Sequence, residues 1–370
     1  MFPAAAFTPD WITTQRRQLG NCDPAILERC VHALTLLGYL VESGLPFIFK
    51  GGTSLLLHLP EVRRLSIDID IVCGEKRAVV NEVVARIGKM PPFLRSEESI
   101  REHLFAPLPK RRHFKFYYRS ALGSRPELPI LLDVVEETRV PHIITELPIR
   151  TSFLTPEREI KVKLPTLESL LGDKLTAFAP STTGVLLRKS DGTPGDVMQV
   201  AKQLFDVGVL FPSATKYNEL ADTYYAVQEL ESEYRESRPT REAALKDTIQ
   251  ACLAVAATAA NIDDYPDARL LQDGFQRLQG HITWPGFAAN REHRRTMAAR
   301  AAVLAAHLQA GVPFDFVAHQ YTNSPEQIEA LRAASLAGTP LVWLDRVKGV
   351  NPEAYHYFHR AIQLGPTKPV

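Results

Sequence analysis

Ile67, Asp68, Ile69, Asp70 and Ile71 alternate apolar and acidic side chains residue by residue. A period of two belongs to a β-strand, in which positions i and i+2 share a face. The stretch therefore demands a hydrophobic layer against its isoleucine face. Its other face carries two carboxylates side by side, which repel each other unless a cation or a proton lies between them. Mg²⁺ (or Mn²⁺) with a triphosphate suits that need, because Mg²⁺ binds through one or two carboxylates and substrate phosphates.

Upstream stands Lys50-Gly51-Gly52-Thr53-Ser54, following the short strand predicted at residues 47–50. A glycine turn entering a helix offers backbone N–H groups and a positive dipole end to an anion. Thr53 and Ser54 add hydroxyl donors. The helix expected at 53–59 is stopped by Pro60. Either element alone is common: a capped strand-to-helix turn, or a strand with acids on its exposed face. Together, each at a strand end, they point to phosphate and metal chemistry.

Phosphoryl or nucleotidyl transfer calls for a third carboxylate. Asp133 is the candidate, lying in Pro129-Ile-Leu-Leu-Asp-Val-Val. An acid in so apolar a strand is destabilising unless it has a partner or sits at the sheet rim. Glu136 and Glu137 read as solvated. Lys174 borders the apolar stripe of the helix that begins at Thr166. It reads either as a point charge for a triphosphate or as an amphipathic lysine reaching water. Lys202 and Asp206, spaced i,i+4, are compatible with a plain helix salt bridge.

Residues 110–119 mix basic and aromatic side chains, suited to phosphate neutralisation with base stacking or to a strand beside a basic loop. Arg291, His293, Arg294, Arg295 and Arg300 form a second basic cluster, either an acceptor-RNA surface or a solvated helix face. His356 and His359 have metal-like spacing but no neighbouring acid, and the expectation is no metal site.

The 370 residues suffice for two or three domains. The net charge of +1 excludes a global basic field, so nucleic-acid binding would need a local patch. Four cysteines without CxxC spacing argue against a disulfide framework or a zinc cluster. No 18-residue apolar run is present, and the N-terminal stretch lacks the pattern of a secretory signal. The expectation is a cytoplasmic protein with no membrane partner. Strands are predicted at 65–73, 113–119 and 129–136, with edge strands at 149–152 and 160–164, and helices at 24–43 and 76–89. Beyond Pro165 the pattern turns helical, with 215–310 helical throughout. The fold class is α+β: a mixed α/β half over 1–164 and a helical half over 165–370.

Lys50-Gly-Gly-Thr-Ser-Leu, Arg64-x-Ser66-x-Asp68-x-Asp70, Asp173-Lys174-Leu-x-Ala177 and Lys202-x-x-x-Asp206 together resemble the AbiEii/AbiGii toxin nucleotidyltransferases. These belong to the polymerase-β-like nucleotidyltransferase superfamily. The likeness covers roughly residues 46–210. It implies a small mixed sheet flanked by helices and followed by a helical domain that completes the site and binds the acceptor. It implies transfer of a nucleotide from an NTP with Mg²⁺, most simply to the tRNA 3′ end, and a cognate antitoxin encoded nearby. It also implies that Asp68 and Asp70 bind metal and that Gly52, Thr53, Ser54, Arg64 and Ser66 serve the nucleotide. Lys174 would face the triphosphate, and Asp206 would be the required acid of the last motif. Two departures stand out: the loop over 179–195 is long, with Arg188 or Lys189 as its basic residue, and Pro60 shortens the first helix. The rival expectations are a protein or small-molecule acceptor, and a nucleotide-binding regulator without transfer.

Overall fold

The computed structural model describes residues 1–99, 110–123, 127–287 and 290–365. The chain divides into two compact units. One is Met1–Thr166 together with Gly280–Pro285; the other is Leu167–Gln279 with Gly286–Val370.

The first unit is built on a five-stranded sheet: β1 (Ile48–Lys50), β2 (Asp68–Val72), β3 (Phe93–Ser99), β4 (Lys110–Tyr118) and β5 (Leu128–Glu136), in the order β1-β2-β5-β4-β3. β2 and β5 run parallel, and the other neighbours are antiparallel. A separate hairpin pairs β6 (Ile144–Pro148) with β7 (Lys161–Pro165). The helices are α1 (Pro9–Gln18), α2 (Pro24–Glu42), α3 (Leu55–His58) and α4 (Arg77–Ile87).

Alternation decides which face of the sheet is covered. Ile69, Ile71, Phe114, Phe116, Ile130, Leu132 and Val134 are buried on one face, where α2 packs against β2 and β5. Asp23 caps α2, its Oδ1 accepting from Ala25 N at 2.8 Å with Pro24 in the first turn. By length and composition Pro24–Glu42 would suffice to cross a membrane, yet 67% of its most apolar window is buried in this core. Arg112, also on the covered face, forms a bidentate pair with Glu98 at 2.8 and 2.7 Å.

The second unit is helical: α5 (Leu167–Ala177), α6 (Val197–Leu210), α7 (Tyr217–Glu233), α8 (Arg241–Ala256), α9 (Ala268–Leu278), α10 (Arg291–Ala310), α11 (Pro325–Ala333) and α12 (Pro352–Gln363). α5 packs on α6 and α7, and α10 packs on α6, α8 and α12. Gly172 makes the α5–α7 approach possible, since a β-carbon there would lie 2.5 Å from Leu220 O.

Several elements differ from the sequence expectation. The edge strand expected at 149–152 is a turn in which Thr151 Oγ1 accepts from Phe153 N and Leu154 N, and the strand lies earlier, at β6. β3 has a polar sequence with no apolar alternation, so its pattern was silent. Residues 215–310 are not continuously helical. Gly280–Pro285 belongs to the first unit; it leaves a 3₁₀ turn at Gln279–His281 and bridges Arg64 through Ile282, with Leu65 N donating to His281 O at 2.7 Å and Thr283 N to Arg63 O at 3.0 Å. Leu65 is thereby held outside β2, which begins at Asp68 rather than at 65.

Candidate active site

The carboxylates occupy the face of the sheet opposite α2. Asp68 and Asp70 alternate with buried Ile69 and Ile71 along β2. In the parallel pairing Asp70 stands directly opposite Asp133 of β5. Parallel strands lie about 4.8 Å apart, so these two acids are immediate neighbours. The row continues across the sheet, from Lys50 on β1 to Asp70, Asp133, His113 on β4 and Ser99 on β3. His113 Nδ1 lies 2.7 Å from Asp133 Oδ1. Like charges directly opposed are destabilising, so this row is a place where cationic charge is stabilising.

The glycine turn presses on the same row. Gly51 has φ +80° and ψ −167°, a region open almost only to glycine. A β-carbon there would lie 2.0 Å from Asp70 Oδ2. Gly52 is pressed against the arginine motif: its β-carbon would meet the Arg64 guanidinium at 2.8 Å and Ser66 Oγ at 3.2 Å. Arg64 is buried, and its Nη1 donates to Leu65 O at 3.2 Å. The five motif residues Gly51, Gly52, Arg64, Ser66 and Asp70 thus form one cluster.

Thr53 and Ser54 are fully buried. Thr53 Oγ1 donates to the carbonyl of Asp68 at 2.5 Å, and Ser54 Oγ donates to the carbonyl of Gly51 at 2.7 Å. The Thr53 hydroxyl fastens the turn to β2, and the Ser54 hydroxyl closes the turn on itself. The helix behind them is one 3₁₀ turn, Gly52–Ser54, followed by the four residues of α3, so its dipole is short.

Lys174 and Asp206 meet in the helical unit. Lys174 Nζ lies 3.2 Å from Asp206 Oδ2 and donates to Gln203 Oε1 at 3.1 Å. Asp206 is wholly buried and Lys174 nearly so. The lysine expected at the triphosphate and the acid of the last motif form one buried ion pair joining α5 to α6.

Several other expectations change. Glu136 is not merely solvated: Arg77 grips both its oxygens, at 2.8 and 2.9 Å. The basic stretch of β4 is largely engaged within the unit, with Arg112 on Glu98, His113 on Asp133, and Lys115 3.9 Å from Glu97. The cluster on α10 is split: Arg291 stays exposed beside Glu292, while two of its arginines are engaged within the unit. Arg295 is buried and donates to Ala256 O and Glu292, while Arg300 binds Glu353. Arg188 pairs with Asp267 at 2.8 Å. His356 Nε2 hydrogen-bonds to His319 O at 3.0 Å, a structural role. All four cysteines are buried and unlinked; burial pushes the Cys22 thiol up to about 11 and Cys30 up to about 12, far from thiolate chemistry at neutral pH.

Among the described residues no three His, Cys, Asp or Glu side chains close around a point as a metal cage. Mg²⁺ does not need one, since it keeps waters and takes substrate phosphates as ligands. Hard oxygen donors in register, partly open to solvent, fit such an ion. His113 is the site residue that the sequence reading did not single out. Its only sequence signal is parity within β4, and that signal has meaning only once the β4–β5 register is known.

Comparison with known protein families places the chain among the nucleotidyltransferases. The family described as nucleotidyl transferase AbiEii toxin, type IV toxin–antitoxin system, matches residues 35–303. That span is well over half of the 370 residues, and the chain belongs to this AbiEii toxin family. Membership makes it a nucleotidyltransferase of a toxin–antitoxin system, with an NTP substrate and a cognate antitoxin. Among solved structures it is similar to JHP933 from Helicobacter pylori, at 14% identity and a TM-score of 0.37 over 77% of this chain and 94% of that one. It is also similar to an H. pylori protein described as a nucleotidyltransferase, at 13% identity and a TM-score of 0.39 over the same shares. Neither likeness adds to the family assignment. No curated protein matches the chain.

Proposed function

We propose that this chain transfers a nucleoside monophosphate from an NTP to a hydroxyl of the tRNA 3′ end, in the cytoplasm, until its antitoxin neutralises it. One observation carries the reading: Asp70 and Asp133 stand in direct register on adjacent parallel strands, with Asp68 on the same face of β2. In the reaction the acceptor hydroxyl attacks the α-phosphorus, its bond to phosphorus forms, and the bond to pyrophosphate breaks. Asp68, Asp70 and Asp133 would hold Mg²⁺ or Mn²⁺, which when bound neutralises the phosphates and withdraws charge from the reacting phosphorus.

The remaining roles fall to the chain's own groups. Asp133 accepts the proton of the attacking hydroxyl. The Gly51–Gly52 backbone and the Arg64 guanidinium packed on it receive phosphate charge, with Ser66 beside them. Thr53 and Ser54 keep that turn and the start of β2 in place through the carbonyls of Asp68 and Gly51. In the helical unit Lys174 is assigned to the triphosphate and Asp206 to holding it. Residues 165–370 are assigned to the acceptor.

The test is incubation of the purified full chain with each α-³²P-labelled NTP, Mg²⁺ and total RNA plus protein from a bacterial lysate, resolved on denaturing gels. Label in tRNA that disappears with Asp70→Asn and with Asp133→Asn is the expected result. Label in protein or in a small molecule overturns the acceptor. Transfer unchanged in both variants overturns the site.

A further inference from the structure

We propose that His113 is a positioning residue that fixes the orientation of the Asp133 carboxylate beside Asp70. The inference rests on the metal-centre reading above and adds a residue to it. His113 and Asp133 are direct partners in the antiparallel β4–β5 register, and Nδ1 lies 2.7 Å from Oδ1. An ionised carboxylate only accepts hydrogen bonds, so Nδ1 carries the proton and donates it.

The burial of the two side chains is unequal. The His113 side chain is 8% exposed, while that of Asp133 is 30% exposed. The imidazole is therefore clamped and the carboxylate is open on one side. The terminal torsion of an aspartate is broad, and Asp133 lies next to a like charge at Asp70 that favours its turning away. A fixed donor on Oδ1 opposes that rotation. It leaves Oδ2 for a cation or for an attacking hydroxyl. Ligating carboxylates are characteristically oriented by such an outer hydrogen bond, and its loss lowers metal affinity or activity by about 10–100-fold.

The register supplies the reason for histidine. β4 alternates, with Arg112, Phe114 and Phe116 on the covered face and Arg111, His113 and Lys115 on the other. A short side chain with a donor close to its β-carbon is needed to reach a carboxylate on the neighbouring strand at the same level. Nδ1 meets that requirement. Lys115, two positions along, stands opposite Leu131 rather than an acid.

The experiment uses the full chain with a non-cleavable α,β-methylene NTP and measures Mn²⁺ affinity by electron paramagnetic resonance, without turnover; kcat and KM are read separately by transfer from an α-³²P-labelled NTP. Four variants are compared: His113→Asn, which keeps a donor near the δ position; His113→Leu, of the same shape without one; His113→Gln, with the donor displaced; and Asp133→Asn. The expectation is near-native affinity for H113N, a loss of about 10–100-fold for H113L, and a fall in kcat for H113L with little change in KM for the NTP. Thermal melting reports whether each variant folds; if H113L does not, H113Q takes its place in the comparison. H113L, or H113Q in its place, binding Mn²⁺ as tightly as H113N overturns the role of His113. If Asp133→Asn also binds as tightly as the native chain, the metal-centre reading itself falls. A loss in Asp133→Asn without a loss in H113L refutes the His113 inference alone.

Discussion

Replacing Gly51 with alanine tests the close approach on which the site is built. Two effects add. At φ +80° and ψ −167° an L side chain is strained by about 1–3 kcal/mol. The new β-carbon would also lie 2.0 Å from Asp70 Oδ2, 2.7 Å from its Cγ and 2.9 Å from its Cβ, where ordinary contact begins near 3.4 Å. Because the Asp70 Cβ is itself too close, rotating the carboxylate does not relieve the overlap, and the backbone or the whole side chain must shift by about 1 Å. Overpacking of this kind adds about 1–3 kcal/mol. A displacement of about 1 Å at reacting groups lowers rate by about 10²-fold. Gly51→Ala is therefore expected to lose about 2–6 kcal/mol of stability and about 10²-fold in kcat, read by urea unfolding and by transfer of labelled nucleotide. Gly44→Ala is the control: Gly44 also has positive φ, +77°, but no atom lies within 4 Å of its β-carbon position. It should show the strain without the loss of rate. Gly51→Ala with unchanged turnover would refute the claim that contact with Gly51 sets the position of Asp70. Equal unfolding midpoints for the two variants would refute the overlap.

Three further expectations concern stability. Lys174→Ala removes the lysine from the buried ion pair with Asp206, and the chain should lose about 3–5 kcal/mol in denaturant unfolding, whereas a double Lys174→Met, Asp206→Leu variant should recover most of it. His32 is buried in α2, stacked on Tyr118 at 3.6 Å between ring centroids, and burial pushes it from 6.5 down to about 4. The unfolded chain thus binds more protons between pH 6.5 and 4, so stability is full above 6.5 and is lost as pH falls through that window, by about 3 kcal/mol from this group; His32→Phe should flatten that part of the pH dependence relative to the native chain, and an unchanged slope would remove His32 as its source. Gly172→Ala drives a methyl into Leu220 O at 2.5 Å and should lower stability by about 1–3 kcal/mol; a neutral result in thermal melting would show that α5 and α7 separate freely.

The strands and helices that were legible share one property: their local pattern agrees with their burial. α2 and β2 carry clear periods, β4 and β5 are rich in aromatic and β-branched residues, and the expected bounds of all four lie within a few residues of those observed. β3 was not legible because an edge strand with polar side chains on both faces has no period to read. The Gly280–Pro285 segment was missed because its partner, Val62–Leu65, lies more than 200 residues away and its pairing leaves no local signature. The basic runs left two readings open for a related reason. Composition shows charge, but only packing shows that Arg112, Arg295 and Arg300 already have carboxylates or carbonyls to bind.

By itself the sequence determined that Asp68 and Asp70 share a face, since strand parity is a local property of the backbone. It also determined that a glycine turn precedes them, because no other residue adopts the Gly51 conformation without strain. Only the tertiary structure decided that Asp70 opposes Asp133, that His113 holds Asp133, that Gly51 abuts Asp70, and that Lys174 meets Asp206. Each of these depends on the register between strands or the packing of two helices. Register and packing are set by the fit of whole hydrophobic faces rather than by the neighbours of any one residue.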